Sequence, residues 1–293
     1  MKRIITALVL IPLVLLLVFR APLWAIALVC CLLALLAIHE YLHIVRHYGV
    51  EPFRWLTYVL TVAVFTAGYA GLESRNALWV PLALNLGAFA YLIAAMRRHS
   101  LREGLPAGAF SFFGLPYIAL SLLTLVCIRD LYGGVFWIVV LFATVWGGDS
   151  VAMYVGKALG RHRLAPTISP KKTWEGSLGS IVGSLFFSLL ALHFAGPILD
   201  AGSHLEHLKV HAVLQARVDH AGPSPEMWRF IIMVVLLNIA AQLGDLVESV
   251  IKRGADVKDS GSLLPGHGGI LDRIDALLFA APVLWYYLTI VRY

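Results

Sequence analysis

Apolar residues in this chain do not mark one face of a helix. They run on in nearly unbroken blocks, near residues 4–19, 21–38, 55–72, 76–96, 105–128, 131–156, 177–199, 227–247 and 270–291. A helix needs about 20 such residues to cross the hydrocarbon core of a bilayer. The pattern predicts an all-α, polytopic integral membrane protein with about nine transmembrane helices. The first block follows Lys2 and Arg3, as in a signal peptide, but Arg20, Pro22 and Trp24 make a poor cleavage site, so it is read as a retained helix. Arg20-Ala21-Pro22 then suggests a tight hairpin into the second block. Pro12, Pro81, Pro116 and Pro282 lie inside blocks, which membrane helices tolerate where neighbours satisfy the freed backbone groups. From Asp200 to Glu226 the chain is polar, with His204, His207, His211 and His220, and reads as an extramembrane loop.

Composition narrows the classes further. With 60% hydrophobic and 14% charged residues among 293, a soluble two-domain protein is excluded. Cys30, Cys31 and Cys127 all lie in apolar blocks, which leaves neither a disulfide framework nor a thiolate metal knuckle. Lys and Arg accumulate on the cytoplasmic side of membrane proteins. With the N-terminus inside, that side holds Lys2, Arg3, Arg46, Arg54, Arg97, Arg98, Arg102, Lys157, Arg161, Arg163, Lys171, Lys172, Lys252, Arg253, Lys258 and Arg273, out of 23 basic residues in all. The expected topology is N-in, C-out, with the polar stretches 157–176 and 248–275 both facing the cytoplasm. The net charge of +6 is accounted for by anionic lipid headgroups, and no nucleic-acid partner is expected. Residues 1–130 carry no motif and are taken as a transmembrane scaffold. Residues 131–293 are taken as the catalytic region.

The stretch 157–176, KALGRHRLAPTISPKKTWEG, carries more than topology charge. Ser169-Pro170 punctuates it, Lys171 and Lys172 are adjacent cations, and Thr173 with Gly176 brackets Trp174 at an expected helix start. Hydroxyl, free N–H groups and lysines beside a helix N-terminus suit an anionic phosphate. The alternative is an ordinary positive-inside loop. Asp149, after Trp146-Gly147-Gly148, is a carboxylate near the end of an apolar helix, either functional or paired with a cation such as Lys157.

The densest chemistry lies between Asp245 and Ala276. On a helix Asp245, Glu248, Ser249, Lys252 and Asp256 line one face. Lys258-Asp259 follow, then Pro265-Gly266-His267-Gly268-Gly269, whose glycines allow close backbone approach to a ligand. Asp272 and Asp275 sit one helical turn apart at the start of the last block. Carboxylates beside a glycine turn suit Mg²⁺, which takes one or two of them plus substrate phosphates. Taken singly, Asp272 and Asp275 would also serve a helix N-terminus, Arg273 would pair with either, and His267 would be an ordinary loop residue. Zinc at His267 is not expected, because no Cys or second His has suitable spacing. Charge this concentrated between two membrane helices is not explained by a solvated face.

From Ser249 to Asp275 the sequence, with Lys252-Arg253, Lys258-Asp259, Leu264-Pro265, His267-Gly268-Gly269 and Asp272-Arg273-Ile274-Asp275, resembles the signature of the phosphatidate cytidylyltransferases (CDP-diacylglycerol synthases). Ser169 to Gly176 resembles a second segment of that family. One departure stands out. After Asp149 the family commonly has Ser or Thr, then Gly-Ala-Tyr, whereas Val151 replaces the glycine here and Tyr154 comes one place late, which puts a role for Tyr154 in doubt.

The resemblance implies that CTP and phosphatidate give CDP-diacylglycerol and pyrophosphate, for phospholipid biosynthesis. It implies Lys252, Arg253, Lys258, Asp259, His267 and Arg273 as catalytic residues. It implies Ser169, Lys171, Lys172, Thr173, Ser249, Gly268, Gly269 and Asp149 as substrate-binding, and Asp245, Asp272 and Asp275 as metal ligands for Mg²⁺, with room for a second cation. The expected setting is the inner cell membrane, among membrane lipids, with the site facing the cytoplasm and a homodimer as one option. Two other classes stay open: a secondary transporter, though the halves show no repeat, and another lipid phosphotransferase of the CDP-alcohol type, though its denser aspartate array is absent.

Overall fold

The computed structural model describes residues 12–98, 100–202, 225–261 and 268–291. Helices run α1 Leu23–His47, α2 Arg54–Ser74, α3 Trp79–Met96, α4 Leu101–Gly114, α5 Ser121–Asp130, α6 Gly134–Leu159, α7 Trp174–His193, α8 Ala195–Gly202, α9 Pro225–Gly254 and α10 Leu271–Ile290. Leu115–Leu120 form a π-helical segment joining α4 to α5 in one rod. Among the described residues eight helices are long and apolar enough to cross a membrane. The first expected span lies partly outside the described residues; its end, 12–20, is helical. The second runs on to His47, well past the expected residue 38.

Many large apolar side chains point outward, among them Trp55, Leu86, Phe89, Val182 and Phe186, while Thr57, Thr61, Thr144, Ser180, Ser184, Ser188 and Asn238 are buried. That inversion is what a bilayer solvent demands. Lipid offers no hydrophobic drive for helices to associate, so small residues and interhelical hydrogen bonds hold them together. The α6–α7 pair shows both devices. A Cβ on Gly179 would lie 2.8 Å from Val155 Cβ, and one on Gly148 would lie 2.5 Å from Ser184 Oγ. Val151, the departure from the family pattern, packs on Gly183, where a Cβ would meet its Cγ2 at 2.6 Å. A polar chain continues into α9: Ser184 Oγ donates to Thr144 O (2.6 Å), Asn238 Nδ2 donates to Ser180 and Ser184 Oγ (2.8 Å each), and Gln242 Nε2 donates to Asn238 Oδ1 (2.6 Å).

Two local features depart from the sequence expectations. Between α6 and α7 the chain forms an antiparallel hairpin, β1 Arg163–Ala165 with β2 Ser169–Thr173, in which Arg163 faces Thr173 and Ala165 faces Ser169. Pro166 and Pro170 bar a helix in this stretch. The polar stripe on α9 also ends early. Asp256 is not on the helix, because α9 stops at Gly254 and Asp256 takes the left-handed conformation (φ 55°). Val257 N donates to Lys252 O and Asp256 N to Arg253 O, the bond pair of a helix terminator normally built on glycine.

Candidate active site

The C-termini of α1, α6 and α9, the N-termini of α7 and α10, and the hairpin all meet at one end of the bundle. The bonds that join them are specific. Thr173 caps α7, its Oγ1 accepting from Gly176 N at 3.1 Å, as expected for a helix start at this point. The strand before it alternates its side chains. Lys171 is exposed, whereas Lys172 turns inward and ion-pairs with Asp245 Oδ2 at 2.6 Å. The two basic neighbours of the sequence therefore do different things. Ser169 is half-buried in the same strand, and Ser249 half-buried on α9.

Asp245 belongs to a carboxylate locus. Gly244 lets α9 press on α10 so closely that a Cβ there would be 2.5 Å from Asp275 O. As a result Asp275 feels the charges of both Asp245 and Asp149, and Asp149 that of Asp245. Of the three expected metal ligands, the fold brings Asp245 and Asp275 together and adds Asp149 to them. Asp272 faces the preceding loop. Its Oδ2 accepts from Gly269 N (2.8 Å) and Ser260 N (3.0 Å), and its Oδ1 pairs with Lys252 Nζ at 2.5 Å. Among the described residues no three acidic, His or Cys side chains stand ready as a metal cage.

Lys252 is the hub of a buried ion triad. Its ammonium also lies 2.5 Å from Glu248 Oε2, and Glu248 is fully buried. Glu248 Oε1 and the Tyr117 hydroxyl are buried without a hydrogen-bond partner among the described residues. Tyr117 comes from the π segment, a kind of distortion that often marks a functional place. Arg253, Lys258, Asp259 and Arg273 are exposed around the rim. Gly268 adopts φ 78°, and a Cβ there would lie 2.5 Å from Asp272 Oδ2, which accounts for its lack of a side chain. His267 lies outside the described residues. Tyr154 is 68% exposed.

The hairpin and the acidic face of α9 thus meet at the Lys172–Asp245 pair, and residues 1–291 match one family. The chain belongs to the cytidylyltransferase family. Curated relatives carry the name phosphatidate cytidylyltransferase. The Haemophilus influenzae protein is 36% identical over 54% of this chain and 48% of its own length. The Staphylococcus haemolyticus protein is 32% identical over 69% and 66%, and that of Brucella abortus 36% over 63% and 57%. The chain thus spans about half to two thirds of the length of the curated relatives it matches.

Sequence reading missed Glu40. It is 3% exposed and accepts hydrogen bonds from Ile270 N (3.0 Å) to Oε1 and from Leu271 N (2.9 Å) to Oε2. A signal was available, because a carboxylate inside a membrane helix is costly and functional by default. Ending the second span at residue 38 placed Glu40 outside it.

Proposed function

We propose that this cytidylyltransferase joins CTP to phosphatidate, giving CDP-diacylglycerol and pyrophosphate at the inner cell membrane, with its site on the cytoplasmic side. The observation that carries the reading is the Lys172–Asp245 pair, which sets a lysine-bearing hairpin against an acidic helix face at one end of the bundle. The names of the relatives and the basic residues gathered at this end, Arg46, Arg54, Arg97, Arg98, Lys157, Lys171, Lys252 and Lys258, support it.

In the reaction a phosphate oxygen of the lipid forms a bond to the α-phosphorus of CTP. The bond from that phosphorus to the bridging oxygen breaks, and pyrophosphate leaves with the electron pair. The attacking oxygen is already ionised near neutral pH, so the protein need not remove a proton. Its task is to bring two anions together in line. Lys172 and Lys171 on the hairpin, with Arg253, Lys258 and Arg273, would hold phosphates, and Gly268 and Gly269 would let the backbone come close.

Mg²⁺ fits the donor set. Asp245 and Asp275, with Asp149 beside them, present hard oxygens whose mutual repulsion a cation relieves. An incomplete protein cage suits an ion that completes its shell with water and phosphate. When bound it would neutralise phosphate charge and aid departure of pyrophosphate. Asp272 is spent on Lys252 and the loop.

The test uses purified protein with labelled CTP. Pyrophosphate release that requires both phosphatidate and Mg²⁺ is expected. Release without phosphatidate, or none with it, overturns the reading.

A further inference from the structure

Helix α10 begins without a side-chain cap of its own, its N-cap being Ile270. The first four N–H groups of a helix need partners from elsewhere. Here Glu40, on α1, supplies both carboxylate oxygens to Ile270 N and Leu271 N. The Ser260 hydroxyl lies 2.9 Å from Glu40 Oε2 and 3.0 Å from Asp272 Oδ2, so its one proton is shared between two carboxylates. The glycines follow from this packing: a Cβ on Gly261 would lie 2.5 Å from Glu40 Oε1, and one on Gly269 would collide with Glu40 and Ser260. About two turns further on, at the C-cap of α1, Tyr48 donates to Ile251 O at 2.8 Å and occupies the space a side chain at 254 would need. Helix α1 therefore holds the signature loop at both of its ends, where α9 stops and where α10 starts.

We infer that Glu40 is a positioning residue for the proposed reaction: it fixes the start of α10 and, through Ser260, the carboxylate of Asp272 that orients Lys252. It touches no substrate, and the inference rests on the function proposed above. A buried carboxylate that only filled space would not need three donors from a loop so distant in sequence. Its burial in a membrane helix is compensated only while those donors stay in place.

The experiment is Glu40→Gln in the full chain, purified and compared with wild type by amide hydrogen exchange and by steady-state kinetics. Amides 259–261 and 269–272 should exchange at least about tenfold faster, while α2, α3 and α6 keep their protection. Turnover per folded molecule should fall by about 10- to 100-fold with KM for CTP within about threefold, the mark of a lost transition-state alignment. Unchanged exchange in the loop, loss of protection throughout the bundle, or normal turnover would each overturn the inference. Should Glu40→Gln not stay monodisperse, Ser260→Ala removes one donor without altering α1, and the same localised exchange is expected. If wild type releases no pyrophosphate, the functional proposal fails on its own, and the exchange measurement still decides whether Glu40 holds the loop.

Discussion

Lys172 Nζ on the hairpin sits 2.6 Å from Asp245 Oδ2 on α9, and this pair joins the two chemically dense stretches of the chain. Both partners are only partly buried, with side chains 26% and 40% exposed, so the pair contributes about 1 kcal/mol or less to stability. Its value lies in placing a cation against a carboxylate where phosphates are proposed to bind.

Lys172→Ala should accordingly lower phosphatidate-dependent turnover by about tenfold or more, roughly 1.4 kcal/mol, with little change in Tm. Lys171→Ala, on the opposite face of the strand, should cost about threefold or less, in proportion to an exposed charge. Equal losses for the two variants would mean that strand alternation does not set their roles. Turnover and thermal melts in detergent check both.

The carboxylates divide in the same way. Asp245→Asn and Asp275→Asn remove charges that repel each other and Asp149, so Tm should hold or rise while turnover falls by about 10²-fold. Asp272→Asn breaks a buried pair with Lys252 and should lower stability by about 3 kcal/mol. Melting curves beside Mg²⁺ titrations of activity distinguish the two classes. A stable, inactive Asp272→Asn would move it into the metal group.

Gly179 makes one of the tight small-residue contacts on α7. Gly179→Ala must push Val155 aside and should cost about 1–3 kcal/mol, read as a lower Tm. Val151→Gly should also destabilise, by about 2 kcal/mol, because it empties the space over Gly183 and adds a helical glycine. An unchanged Tm in either would mean that α6 and α7 are held by the hydrogen bonds of Thr144 with Ser184 and Ser188.

Orientation is open to labelling. With Cys30, Cys31 and Cys127 replaced, Lys171→Cys and Asp259→Cys should resist a membrane-impermeant thiol reagent in intact cells, while Ala77→Cys, in the exposed turn between α2 and α3, should react. Labelling of the first two from outside would place the site on the wrong face for CTP.

The membrane spans were legible because an apolar block of twenty residues has few other uses. The start of α7 was legible too, since Thr173 is a preferred cap with a bond to Gly176 N. Side-chain alternation at Lys171 and Lys172 was hidden, because a five-residue strand interrupted by Pro170 leaves no period to read. The end of α9 was misread at Asp256, where Tyr48, from a remote helix, takes the space beside Gly254 and an aspartate adopts a glycine-like conformation. Glu40 was legible as a carboxylate in an apolar run, but its partners, Ser260, Ile270 and Leu271, were not, because they are brought to it by the tertiary fold.

The Glu40 cap also bears on how the protein is made. Helix α1 leaves the ribosome well before α10, the last helix described. Until residues 260–271 arrive, the carboxylate at 40 has none of the donors that satisfy it in the finished fold. Helix α1 therefore carries an unmet polar group until α10 is made, and α10 both completes the site and settles α1. A chain arrested before α10 would be unable to acquire a working centre, and would present quality-control proteases with a poorly seated second span.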